Sequence, residues 1–353
     1  MLIENGDNMK FLVVDFFNLS MVACWMIIIV LILRLFLKRT PKVFNCILWC
    51  MVWIRMIIPA CFETHLSMIP GIKTFDKRYL YENSYSFKIN TGIEFFDYGI
   101  NEALADKYFE GISVPMGALV TFFKIFTVIW IAGILIFVVL SVINYIKLWK
   151  SFKTSVILKD NIWQNDSIGS SFVFGLIKPK IYIPFETNEK DLEYLVKYED
   201  VHAECFYNWT KLIAYIILII NWYNPLVWVA YKQFSNDLEL YCDEKIIKKI
   251  SKKQCNEYTK FLSEMLLNKS QYFAQKGSFL FAKNPFYFNE FNIRKRVDRI
   301  SNYKKTNIFE IIVLIFIFIV IAFGFFTNPV PESNQSYLDN FAALYYFIYS
   351  LFV

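Results

Sequence analysis

Long apolar stretches, each flanked on one side by lysine or arginine, run through this chain. Four are long enough for a bilayer, which takes ~20 residues of helix. They are about 18–37 (NLSMVACWMIIIVLILRLFL), about 43–62 (VFNCILWCMVWIRMIIPACF), about 121–146, and 311–326 (IIVLIFIFIVIAFGFF). The first is not expected to be a cleavable signal peptide. No basic segment precedes it, and it runs through KRTPK directly into the second.

Lysine and arginine set the expected orientation. Lys38, Arg39 and Lys42 lie between spans one and two, Lys147, Lys150 and Lys153 follow span three, and RKRVDRISNYKK precedes span four. Four spans then place both termini outside. The implied segments are an N-terminal transmembrane hairpin (1–62), an extracellular loop (63–120), a third span (121–147), a cytoplasmic insert (148–306), a fourth span (307–327) and a short extracellular tail (328–353). A fifth apolar run, LIAYIILIINWYNPLVWVAY at 212–231, would invert this order if it crossed. Asn before Pro favours a break, so it reads as two helices joined by a turn, in or against the inner leaflet. Arg55, inside span two, is expected to snorkel outward or pair with Asp15.

Within the insert, SSFVFGLIKPKIYIP (170–184) has β-branched and aromatic runs around a Gly and two Pro, which predicts a short hairpin. A helix follows, capped near Thr187 or Asn188, with Glu189 and Asp191 in its first turn. Its apolar stripe is Leu192, Leu195, Val196, Ala203 and Phe206. Glu199 and His202 share that face by 3.6 periodicity, and Tyr198 lies at its edge. A second helix starts with Asn224 as N-cap and Pro225 at N1, and turns Glu239 to the same side as Trp228, Ser235, Cys242 and Ile246. Acids and a histidine in apolar interfaces need a partner or a ligand. Considered alone, His202 reads as a hydrogen-bonded core histidine, and Glu199 and Glu239 as ion-paired with Lys or Arg.

Composition sharpens the membrane reading. Hydrophobic residues make up 56% of the 353, and the net charge is +6. On a membrane protein that charge fits a cytoplasmic-face bias, with no direct nucleic-acid binding. Cysteines 24, 46, 50, 61, 205, 242 and 255 form no CxxC pair, so neither a disulfide framework nor a zinc ribbon is indicated. The two histidines are His65 and His202.

Residues 198–202 read YEDVH, one letter from the HExxH helix motif of zinc metallopeptidases. Together with FVFGLIKPKIYIP, WYNPLVWVAY, DLELYCDEKII and NIRKRVDRISNYKK, in that order, it resembles the BlaR/MecR-type family of integral-membrane zinc metallopeptidases. The resemblance covers about 18–326. It implies a mainly α membrane protein, with four transmembrane helices and a cytoplasmic, membrane-associated α+β gluzincin-like domain inserted between spans three and four. It also implies Glu199 as the general base and His202 and Glu239 as metal ligands, with Tyr198 where the first histidine ligand belongs.

That substitution matters because catalytic zinc takes three protein ligands and a water. A phenol, with a pKa near ~10, replaces imidazole poorly. Tyr198, His202 and Glu239 could form an unusual set, with Glu204 or Cys205 as substitute donors, but His65 maps to the outer loop. Zinc is therefore expected to be weakly held or absent. The sensor-transducers of this family also carry a penicillin-binding domain with SxxK and KTG-type motifs. Residues 327–353 contain neither, so no β-lactam acylation is expected.

The expected function is a peptidase-like membrane signal transducer of the antirepressor type, impaired in zinc binding and proteolysis. The alternative is an active zinc endopeptidase with nonstandard ligands that cleaves a repressor or another membrane-proximal protein. The implied partners are the lipid bilayer and a cytoplasmic regulator or repressor, with a homodimer left open. The implied location is the bacterial cell membrane.

Overall fold

The computed structural model describes residues 2–58, 62–64, 98–99, 101–102, 116–166, 168, 171–185, 187, 189–251, 253–264, 293–303 and 306–329. His65, Asn188 and most of the expected outer loop and tail lie outside them. The described chain is mainly helical and divides into two compact units, one of residues 1–25, 58–123 and 314–353 and the other of 26–57 and 124–313.

Helix α1 (Leu2–Phe36) is followed by α2 (Lys42–Ile57), a short β1 (Phe62–Thr64) and the long α3 (Met116–Ser151). A four-stranded sheet comes next, built from β2 (Val156–Lys159), β3 (Ile162–Asn165), β4 (Phe172–Phe174) and β5 (Lys180–Pro184). Then come α4 (Glu189–Glu204), α5 (Tyr207–Ile220), α6 (Pro225–Lys249), α7 (Ile293–Ser301), α8 (Ile308–Phe325) and β6 (Thr327–Pro329).

Three helices are long and apolar enough to cross a membrane, Val13–Phe36, Thr121–Thr154 and Ile308–Phe325. The expected second span is shorter than the sequence suggested, because α2 has only 16 residues. Pro59 follows Ile58 and disfavours the helical region for it, so the helix stops at Ile57. Sixteen residues rise about 24 Å, short of the ~30 Å of bilayer hydrocarbon. Arg55 is 1% exposed, enclosed by protein rather than snorkelling outward.

In the first unit β1 and β6 pair in parallel, Phe62 opposite Thr327 and Thr64 opposite Pro329. Its buried apolar residues include Val13, Val14, Val22, Phe123, Phe318 and Phe325.

The second unit contains the mixed sheet, in the order β2-β3-β5-β4. The hairpin expected at 170–184 is β4 antiparallel to β5, with Gly175 at φ 107 in the connection, where L side chains are strained. Strands β2 and β3 were not anticipated. They meet across a turn in which Asp160 takes φ 47, a left-handed conformation that Asp tolerates. The core joins Ile181 and Ile183 of β5, Leu195, Tyr198 and Val201 of α4, and Cys242 and Ile246 of α6. A second cluster stacks Phe152 on Tyr182 at 4.3 Å, seating the sheet on the end of α3.

The apolar run at 212–231 is two helices, as its sequence predicts. Asn224 caps α6 by accepting from the Leu226 amide at 3.0 Å, and Pro225 takes the first turn. The stripe expected to continue through Phe206 does not. Phe206 has φ 50, is 68% exposed, and separates α4 from α5 with a 55° bend. The helix ladder stops there because a left-handed residue turns the chain out of it.

Candidate functional site

Helices α4, α5, α6 and α7 bring Tyr198, His202 and Glu239 into one buried cluster, and Glu199 is buried on the same helix as Tyr198 and His202. Tyr198, Glu199, His202 and Glu239 are 6%, 3%, 5% and 8% exposed. The 3.6-residue period put Tyr198 and His202 one turn apart on α4, and the Asn224 cap fixed the register that turns Glu239 toward them.

Glu239 is the centre. Tyr198 Oη donates to its Oε2 at 2.8 Å, and Tyr207 Oη donates to its Oε1. Two cations flank the same carboxylate, Lys211 Nζ at 3.6 Å from Oε1 and Arg296 Nη1 at 3.6 Å from Oε2. His202 Nε2 lies 3.8 Å from Oε2, with its ring held between those of Tyr198 and Tyr207, each centroid 4.3 Å away. Burial penalises the charged form of Glu239. Lys211, His202 and Arg296 outweigh that, helped by the Tyr207 hydrogen bond, and hold the carboxyl well below the usual carboxylate range.

Arg296 links this carboxylate to a second one. Its Nε and Nη2 grip Asp243 at 2.7 and 2.6 Å, Nη2 also donates to Tyr198 Oη at 3.1 Å, and Tyr258 Oη donates to Asp243 at 3.0 Å. A two-pronged guanidinium–carboxylate pair of this length is among the strongest hydrogen-bonded contacts in proteins. Glu199 accepts a 2.7 Å hydrogen bond from Ser171 Oγ beside β4.

The ion pairing that residue chemistry alone suggested for Glu239 is thus realised, with Lys211 and Arg296 as the partners. Neither was among the site residues the sequence put forward, nor were Tyr207 and Ser171. Lys211 could have been noticed as the single charge at the head of the apolar run KLIAYIILII. Arg296 was hidden within a basic run that already had an explanation as a topogenic signal. The substitute donors do not reach the cluster. Glu204 pairs with Lys249 at 2.8 Å on the surface, and the Cys205 thiol is hydrogen-bonded to Cys242. Among the described residues no group of three or more His, Cys, Asp or Glu side chains is disposed to hold a metal ion.

Helix α6 is also tied to the first helical hairpin. Asp237, two residues before Glu239 and 1% exposed, receives Arg34 Nε at 2.6 Å, Arg34 Nη2 at 2.9 Å, Trp49 Nε1 at 2.9 Å and Asn45 Nδ2 at 3.3 Å. Glu244, the residue after Asp243, accepts from the Lys42 amide at 2.9 Å and from Arg299 Nη2 at 2.7 Å. Arg299 in turn donates to the carbonyls of Lys38 and Thr40 in the α1–α2 connection.

The family description "BlaR1 peptidase M56" matches residues 14–300. The chain belongs to the BlaR1 peptidase M56 family. It is 27% identical over 143 residues to the methicillin resistance mecR1 protein of Staphylococcus aureus strain Mu50, covering 39% of this chain and 24% of that protein. It is 22% identical over 202 residues to the regulatory protein BlaR1 of Bacillus licheniformis, covering 51% of this chain and 33% of the relative. For BlaR1 of Staphylococcus aureus the figures are 28% over 225 residues, 56% and 36%. The matched parts span about a quarter to a third of these relatives' length. As a BlaR1 peptidase M56 family member with three membrane-length helices, the chain is a bacterial membrane protein of a peptidase-like signal-transducer family. Members of the family are typically zinc metallopeptidases.

Proposed function

We propose that this family member is a membrane-embedded signal transducer of the antirepressor type whose peptidase site is impaired in zinc binding and proteolysis. It is held by four spans, the short α2 serving as the second beside the three membrane-length helices, with both termini outside. Residues 148–306 are on the cytoplasmic side, where they pass an envelope or membrane state to a regulator or repressor. Tyr198, Glu199, His202 and Glu239 are the remnants of its site, Glu199 as the base and the other three as the metal-binding positions.

The observation that carries this reading is the surroundings of Glu239. The residues present do not fit a zinc ion. Both carboxylate oxygens accept hydrogen bonds from tyrosines, and two cations stand 3.6 Å away. A divalent metal there would face two like charges, with one imidazole and one carboxylate as ready donors against the three protein ligands that catalytic zinc requires. Lys211 and Arg296 supply the positive charge that the metal would otherwise bring. The Asp237 and Glu244 contacts support the transducer half of the reading. A shift of the α1–α2 hairpin is delivered to α6, the helix that carries Glu239.

Two measurements test the proposal. Full-length protein purified without chelator should contain far less than one zinc per chain by elemental mass spectrometry, and stoichiometric zinc would overturn the impairment. In intact cells, a cysteine introduced at Ser251 should stay unlabelled by an impermeant thiol reagent, and one at Ser333 should be labelled. Outside labelling at 251 would overturn the orientation.

A further inference from the structure

The turn between α5 and α6 docks halfway along a membrane-length helix. Trp222 lies in that turn, and a Cβ at Gly133 of α3 would overlap its indole, so glycine makes the seat. Trp222 Nε1 donates to the Trp130 carbonyl at 3.2 Å, and Trp130 Nε1 donates to the Ile220 carbonyl at 2.7 Å. Tyr223 packs edge-on against Phe126 at 5.4 Å. The Trp130 indole satisfies a carbonyl left open at the end of α5, and the Trp222 N–H finds an acceptor on α3, as hydrocarbon surroundings demand.

The depth of this seat follows from helix geometry. Between Gly133 and Lys147, the first of the three lysines at the basic end of α3, the axis rises about 21 Å. Between Lys124 and Gly133 it rises about 13 Å. The two lysines thus bracket a stretch matching the ~30 Å hydrocarbon core, and Trp222 lies past its midplane as seen from the basic end. Other contacts keep the same register. Tyr215 Oη meets Ser141 Oγ at 2.9 Å one level nearer the basic end, and Tyr145 stacks on Phe174 of the sheet nearer still. Returning from the turn, α5 to Tyr207 and α6 to Glu239 each rise about 20 Å, which restores both to the level of Lys147. Along the hairpin most exposed side chains are apolar, among them Ile213 (47% exposed), Ile216 (48%), Trp228 (37%) and Val229 (40%), and the exposed Lys232 lies about 12 Å back from the turn, from where its long stem reaches toward the basic boundary. In water such a face would be a liability, but against acyl chains it is matched.

We propose that α5 and α6 form a re-entrant hairpin that enters the bilayer from the basic side, turns beyond the midplane at Asn221–Asn224 and exits on the side it entered. Its partner is the acyl-chain interior of the membrane. The helices neither lie flat on the inner leaflet nor cross the whole membrane. The Glu239 cluster then sits at the membrane boundary, at the open end of the hairpin.

The test uses the full chain reconstituted in phosphatidylcholine vesicles with lipids brominated at either shallow or deep acyl positions. The Trp222 signal is the difference between the parent and Trp222→Phe. Deep bromine should quench that difference at least twofold more than shallow bromine, and aqueous iodide on either side should leave it unchanged. Stronger quenching by shallow bromine, or by iodide on the basic side, would place the turn at the inner surface and overturn the proposal. Quenching by iodide only on the opposite side would show two complete crossings and overturn it equally. Should Trp222→Phe fail to insert, Trp228→Phe gives the same reading, since Trp228 Nε1 donates to the Trp222 carbonyl at 2.8 Å.

Discussion

Replacing Arg296 by methionine should destabilise the protein by about 3–5 kcal/mol, the usual cost of removing one partner from a buried ion pair. The side chain is 3% exposed and serves three groups: the two oxygens of Asp243, one oxygen of Glu239 and the Tyr198 hydroxyl. Truncation strands Asp243, itself only 2% exposed at its side chain, with the Tyr258 hydroxyl alone. A domain whose total stability is roughly 5–15 kcal/mol loses much of it in one step. The companion change Asp243→Leu should recover most of the loss, because replacing both charges by apolar groups removes the desolvation penalty along with the attraction. Urea unfolding in detergent, followed by near-ultraviolet circular dichroism, measures both. A loss below about 1 kcal/mol for the single variant, or no recovery in the double, would mean that Arg296 is not the keystone of the cluster.

How far such a cluster can be foreseen from sequence depends on the range of the interactions that build it. Signals within one helix were legible. The 3.6-residue period put Glu199 and His202 on the inner face of α4, Asn224 and Pro225 announced the start of α6, and the Gly and Pro pattern of 170–184 announced a hairpin. Each is decided by neighbours a few residues away. The partners of Glu239 are set by tertiary packing: Tyr198 is 41 positions away, and Arg296 reaches Tyr198 across 98. Composition made both cations look ordinary, Arg296 as part of a positive-inside run and Lys211 as a polar end to an apolar segment. Strands β2 and β3 stayed hidden because VILKDNIWQN shows no clean alternation, and Val156–Lys159 is exposed on every residue. The end of α2 was visible in Pro59 but was subordinated to the expectation of a full-length span.

The cluster also changes what restoring the metal motif should require. Tyr198→His alone returns the second imidazole, but Lys211 remains 3.6 Å from the carboxylate and continues to repel a divalent ion. Tyr198→His together with Lys211→Ala removes the phenol and the ammonium at once. It leaves two imidazoles one turn apart and Glu239, the two-histidine, one-glutamate set used by catalytic zinc sites. Arg296 is left in place, because the Asp243 carboxylate that it grips at 2.7 and 2.6 Å balances its charge. Zinc content by elemental mass spectrometry should therefore stay well below stoichiometric in the parent, rise partway in the single variant and reach about one ion per chain in the double. Adding Glu239→Gln to the double should return it to the level of the parent, which separates binding at this site from adventitious zinc. Circular dichroism establishes that each variant is folded before its metal is counted. A folded double variant with no more zinc than the parent would mean that the site has lost more than a ligand and gained more than a charge.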